Sequence, residues 1–260
     1  MLRHGFCIAI CLLSVFVCGS SSATGTAPFE VIYRTPDGDD QRAVLDALND
    51  ARVIDIAQKR FAERVDLSDP IRIVFGTRPL RRGGPHYDPE RRTIQLPYDF
   101  WVYVWDEINH AEPDLSVEEI DILATDVVIH TLYHEIAHAL IDVLDLPITG
   151  QEETVADEFA TLMIIADFDD GLDIVRTAAE FFELEGSYVR RVTDADLFRE
   201  HALDDQRFFH VICLLHGHDA QSVDDILAGL DVTSSRLALC SEDYRRRVAA
   251  WDVLLNLHRE

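Results

Sequence analysis

Residues 116–157 constrain the fold more than any other stretch of this chain. Ser116 is followed three residues later by Glu119, the spacing of a capping box, in which a hydroxyl and a carboxyl satisfy two backbone N–H groups at a helix start. The pattern predicts a long helix from there to about Leu144. Pro147 and Gly150 interrupt it, and a second helix begins near Gln151. His134 and His138 lie four residues apart on the first helix, and Glu153 and Asp157 four apart on the second. Four residues are close to one helical turn, so each pair shares a face. Two neighbouring helices are therefore expected to bring two imidazoles and two carboxylates together.

The rest of the chain divides around this pair. Residues 29–33, 71–75 and 93–96 read as short strands. Residues 41–64 carry Leu45, Leu48, Ile54 and Phe61 at helical spacings, and residues 81–89 read as a turn-rich connection. From Tyr98 onward the pattern is helical, with further helices expected over 170–183, 205–216, 222–228 and 234–257. This is an α+β arrangement, a small N-terminal sheet packed on a mainly helical body.

Arg3 and His4 precede an apolar run over residues 6–17 and a small-residue stretch over 19–26, the layout of a secretory signal peptide. The run is shorter than the ~20 residues needed to cross a bilayer. Residues 1–23 are expected to be cleaved, leaving 24–260 as one exported domain, periplasmic or secreted, with no membrane span. Cys7, Cys11 and Cys18 would leave with that segment; Cys213 and Cys240 remain as a candidate disulfide, because an oxidising compartment preserves such bonds. The net charge of -25 excludes nucleic acid and anionic membrane as partners, since either would repel so acidic a surface.

His134-Glu135-Ile136-Ala137-His138 is an H-E-x-x-H motif. Neutral imidazole suits zinc, and a catalytic zinc takes three protein ligands and keeps a fourth position open. Glu135 stands beside the first ligand, where it can reach a water and act as general base. Glu153 is the preferred third ligand, because Asp157 one turn later could accept a hydrogen bond from the far nitrogen of His134 and orient it. Glu152 and Asp157 stay open as alternatives. His130, one turn before His134, reads as a packed residue: three ligands at successive i, i+4 steps on one straight helix cannot converge on an ion. Asp142, further along that face, reads as solvent-facing.

This pairing resembles the gluzincin metallopeptidases, thermolysin-like enzymes in which H-E-x-x-H is followed by E-x-x-x-D on a second helix. The resemblance implies a zincin-like body, with His134, His138 and Glu153 as ligands, Glu135 as base and Asp157 behind His134. The interval from His138 to Glu153 is shorter than in thermolysin-like enzymes, so the connection must fold back past more than a turn of helix. The stretch 134–157 is also similar to a bacterial metallopeptidase family catalogued as a domain of unknown function. Pro97-Tyr98, Glu200-His201-Ala202-Leu203, Gln206-Arg207-Phe208-Phe209, Cys213, and Cys240 with Tyr244 and Trp251 extend that similarity.

The function these readings imply is zinc-dependent hydrolysis of a peptide or protein substrate. A catalytically silent zinc-binding interaction protein and a zinc hydrolase of a non-peptide amide stand beside it as alternatives. Peptide hydrolysis needs a donor for the developing oxyanion; His201, Arg207, His210, Tyr188 and Tyr244 are candidates. His201 is preferred because it stands just before a helix, where a loop could present it. The strand over 93–96 could offer an edge to an extended peptide. His86 and Tyr87 could line the cleft, though the reading as loop residues is preferred, and Arg245-Arg246-Arg247 reads as a solvated or salt-bridged face.

Overall fold

β-Branched and aromatic residues near the N-terminus pair into a four-stranded sheet. In the computed structural model, which describes residues 27–76, 84–189 and 191–256, the strands are β1 (Phe29–Tyr33), β2 (Ile71–Gly76), β3 (His86–Asp88) and β4 (Thr93–Pro97). The expected export segment, residues 1–23, lies outside the described residues. The sheet order is β1-β2-β4-β3, with β1–β2 and β2–β4 parallel and β3–β4 antiparallel. Strand β2 buries Ile71, Ile73, Val74 and Phe75, the near-continuous apolar run expected of a strand paired in parallel on both sides.

Between β1 and β2 the stretch with helical spacings over 41–64 forms two helices, α1 (Asp39–Asp50) and α2 (Val53–Arg64). Arg52 adopts a left-handed φ of 52° and re-aims the chain. The apolar spacing explains the break. Val44 and Leu48 face the core from α1, and Val53, Ala57 and Phe61 from α2. The five-residue step from Leu48 to Val53 puts the two stripes out of phase for one straight helix.

Residues 81–89 hold more than the turn-rich connection read from sequence, since β3 lies within them. Strand β4 is consequently interior, not an edge open to a peptide; the terminal strands are β1 and β3. A short turn followed by a hairpin return through Arg92, φ 47°, brings β3 back onto β4.

Helices dominate the remainder: α3 (Tyr98–Ala111), α4 (Val117–Val143), α5 (Glu152–Asp167), α6 (Gly171–Ser187), α7 (Asp194–Leu197), α8 (Asp204–His218), α9 (Asp224–Leu227) and α10 (Ser234–Asn256). The helix expected over 222–228 is a 3-10 turn, Ala220–Val223, running into α9. The architecture is α+β. Helix α4 starts at the expected capping box: Ser116 Oγ accepts from the Glu119 N–H at 3.3 Å, and the Glu119 carboxylate accepts from the Ser116 N–H at 2.8 Å. It is apolar on every side, burying among others Ile120, Leu132, Tyr133, Ile136 and Leu140. A helix of that kind must be surrounded, and α3, α5, α6 and the β3–β4 hairpin pack around it.

Cys213 on α8 and Cys240 on α10 form a disulfide. The same two helices meet at Gly217, where an added Cβ would lie 2.4 Å from the Cys240 carbonyl oxygen, so only glycine permits the approach. Among the described residues no helix is long and apolar enough to cross a membrane.

The lower end of this bundle closes on one buried charge. The Asp167 carboxylate has no exposed side-chain surface; Nη1 and Nη2 of Arg64 both donate to it, Nη1 at 2.8 Å, and Tyr133 Oη donates at 3.0 Å. Removing one partner of a buried pair leaves an uncompensated charge. Arg64→Ala is expected to lower unfolding stability by about 3 kcal/mol, read as a drop in the guanidinium chloride midpoint at constant slope. A change under ~1 kcal/mol would mean that Arg60, 3.9 Å away, carries the pairing alone.

Candidate metal centre

Helices α4 and α5 lie side by side, so the two i, i+4 pairs read from sequence face each other. His134 Nε2 and His138 Nε2 stand 3.1 Å apart, with Glu153 Oε2 3.1 Å from the first and 3.4 Å from the second. The ligand-capable atoms of these three residues all lie within 4.8 Å of one another and could hold one metal ion. Two imidazole nitrogens and one carboxylate oxygen, converging from two helices and open on the remaining side, fit a borderline divalent cation.

Each imidazole is held from behind. His134 Nδ1 donates to Asp157 Oδ1 at 2.8 Å and His138 Nδ1 donates to Glu152 Oε1 at 2.7 Å. A carboxylate can only accept, so both rings present the Nδ1 edge to their carboxylate and the Nε2 edge to Glu153. Glu152, an alternative third ligand on sequence grounds, therefore faces the outer edge of His138, and Asp157 the outer edge of His134. The Glu152 contact was not foreseen; a second acid beside Glu153 at the start of α5 was its only trace in the sequence.

Electrostatics follow this geometry. Burial opposes a charge on His134, but its hydrogen bonds to Asp157 and Glu153 outweigh burial and raise its pKa to about 9. Burial likewise works to raise Glu153, yet hydrogen bonds with His134, His138 and His201 hold it far below the ordinary carboxylate range. Asp157 is depressed against its burial by the charge and hydrogen bonds of Arg207. A set of carboxylates that favours positive charge on two rings favours a divalent cation between them for the same Coulombic reason. Glu135 differs: burial raises its pKa, which suits a group that must both take and release a proton.

The centre opens into a cleft of about 920 Å³. His86 and Tyr87 of β3, Asp142 of α4, Glu152 of α5, and Glu200 and His201 line it with the central residues. His86 and Tyr87 are thus cleft residues on a strand, not loop residues. Tyr87 Oη donates to Asp142 Oδ2 at 2.7 Å, which ties β3 to the end of α4 and partners an acid read as merely solvent-facing. A smaller cavity of about 150 Å³ also reaches His134, Glu135 and His201, walled by Phe100, Val127, Phe182 and Arg207.

Of the five donor candidates, His201 alone lines the large cleft. Its Nε2 lies 2.8 Å from Glu153 Oε2, and its ring stacks on His134 with centroids 5.9 Å apart. Gln151 donates to the Glu200 carbonyl, anchoring this segment at the start of α5. The others are engaged elsewhere: Arg207 with Asp157, His210 with Glu158, Tyr188 with Glu107 and Tyr244 with His218. Arg246 and Arg247 pair with Glu242 and Glu158, and Arg245 donates to the Ser241 carbonyl.

A family model described as "Putative metallopeptidase" (DUF4344) matches residues 33–255, nearly the whole described chain, and the chain belongs to that family. No curated protein and no solved structure matches it.

His130 is packed, as its position one turn before His134 implied: it is buried, its ring meets Phe182 edge-on at 5.6 Å, and its Nε2 has no hydrogen-bond partner among the described residues. Burial lowers its pKa from 6.5 to about 3. The unfolded chain therefore binds a proton that the folded chain refuses. The stability this contributes is complete above pH 6.5 and is lost as pH falls from there toward 3. His130→Leu should flatten that part of the acid limb, comparing urea midpoints at pH 7 and pH 5, and should leave metal uptake intact. Lost uptake would instead make His130 a ligand.

Proposed function

We propose, taking membership of this metallopeptidase family as the premise, that the chain is an exported zinc-dependent peptidase in which His134, His138 and Glu153 hold the metal and Glu135 is the general base. The observation that carries the reading is the convergence of His134 Nε2, His138 Nε2 and Glu153 Oε2 beside a buried carboxylate at the foot of an open cleft. Zinc bound there would acidify a water and polarise a scissile carbonyl. Glu135 takes the proton released when water attacks the carbonyl carbon, and its burial-raised pKa lets it hand that proton to the departing amine. His201, half exposed at the cleft wall, donates to the carbonyl oxygen as negative charge develops on it. Asp157 and Glu152 keep the two rings turned toward Glu153.

The substrate is a peptide or protein segment. Strand β3 is terminal in the sheet among the described residues and places His86 and Tyr87 on the cleft, so an extended peptide can add along its outer edge, the role that sequence reasoning gave to residues 93–96. Export is supported by the signal-like N-terminus and by the Cys213–Cys240 disulfide, a bond that reducing compartments do not maintain.

Glu135→Gln should bind zinc with the stoichiometry of the wild type and cleave a mixed peptide library about 10²–10⁴-fold more slowly. Chelation should abolish wild-type cleavage and added zinc restore it. A wild-type protein that takes up zinc and cleaves no peptide would return the reading to a silent module or a non-peptide amide hydrolase.

A further inference from the structure

The geometry points to Arg207 as a positioning residue of the metal centre, acting through Asp157 on His134; this rests on the reading of His134 as a metal ligand. Arg207 stands in the first turn of α8, outside the segment that bears the ligands. Its Nε donates to Asp157 Oδ2 at 2.8 Å and its Nη2 to Asp157 Oδ1 at 2.9 Å, a bidentate clamp that engages both carboxylate oxygens. Oδ1 also accepts from His134 Nδ1 at 2.8 Å. With both oxygens gripped in the guanidinium plane, the carboxylate cannot rotate about its χ2 without breaking two charge-assisted bonds. The direction of the bond to His134, and with it the direction of His134 Nε2, is thereby set by a residue on a third helix.

The clamp is itself immobilised. The Arg207 guanidinium carbon lies 3.8 Å from the centroid of the Phe182 ring, on α6, and Nη1 lies 3.5 Å from Asp204 Oδ1. The same Phe182 ring packs edge-on against His130, one turn below His134 on α4. Helices α4, α5, α6 and α8 thus meet around the back of one imidazole. Arg207 lines the smaller cavity beside His134 and Glu135 and not the large cleft, and its two hydrogen bonds to Asp157 tie it to the back of His134. Lysine would preserve the charge but present a point donor in place of the planar fork, and so would pair with Asp157 without fixing its plane.

The test uses the full mature chain. Zinc affinity is measured by chelator competition, and thermal midpoints of the metal-free protein are followed alongside, for wild type, Arg207→Lys, Asp157→Ala and the double variant. Arg207→Lys should fold and bind zinc about 10–100-fold more weakly. The same substitution should change affinity less than about threefold when Asp157 is already alanine. In the zinc-loaded protein the downfield Nδ1–H resonance of His134 should shift or broaden in Arg207→Lys, a signature that a remote packing role would not move. Phe182→Leu, which loosens the clamp without touching Asp157, should weaken zinc in the same sense and serves if Arg207→Lys fails to fold. Zinc affinity of Arg207→Lys within about threefold of wild type, or an undiminished loss in the Asp157→Ala background, overturns the assignment. Wild-type protein that binds no zinc at all overturns the metal-centre reading together with it.

Discussion

The hydrogen bond from His134 to Asp157 joins two helices at a point where both side chains are buried, and that loss of solvation dictates much of what surrounds it. A carboxylate taken out of water demands charge-assisted partners, and Asp157 obtains them from His134 on one side and the Arg207 fork on the other. An imidazole fixed by one nitrogen must present the other in a single direction, and that direction meets Glu153 and His138. The apolar envelope of α4 excludes water from the contact, and its polar interruptions, His130, His134 and Glu135, stand where the cavities reach it.

How much of this could be read in the sequence depended on how local the determining interaction was. The capping box at Ser116, the length of α4, the start of α5 and the juxtaposition of His134, His138, Glu153 and Asp157 all follow from spacings of three or four residues. The break at Arg52 was less visible, because Leu45 and Ile54 are also apolar and disguise the change of phase between Leu48 and Val53. Strand β3 was hidden for another reason. His86-Tyr87-Asp88 has no propensity pattern of its own and is a strand because β4 offers it a partner. That missed strand makes β4 interior and, among the described residues, puts the sheet's terminal strand at the residues lining the cleft.

Arg207 shows the same limit at the site itself. As a cation among several it was one oxyanion candidate of five, and only the packing of α8 against α5 and α6 reveals that its guanidinium is spent on Asp157. Glu152 is the counterpart on the exposed side, an acid whose partner His138 lies a helix away. The two histidines consequently sit in unlike surroundings: His134 is backed by a buried carboxylate that is itself clamped, His138 by a carboxylate half open to solvent. Glu152 and Asp157, which orient the rings, share α5 with Glu153, whereas Arg207, which clamps Asp157, comes from the more distant α8.

The three candidate ligands and their nearest acid belong to one helical hairpin, with contacts that span 4, 19 and 23 positions of chain, whereas the Arg207 contact spans 50. Closing a flexible loop costs only about 0.6 kcal/mol more for each doubling of its length, but short-range contacts also form first, since they need less of the chain to be in place. The ligand hairpin is thus closed by contacts short in sequence, α8 braces it from 50 residues further on, and the Cys213–Cys240 crosslink ties that brace to α10.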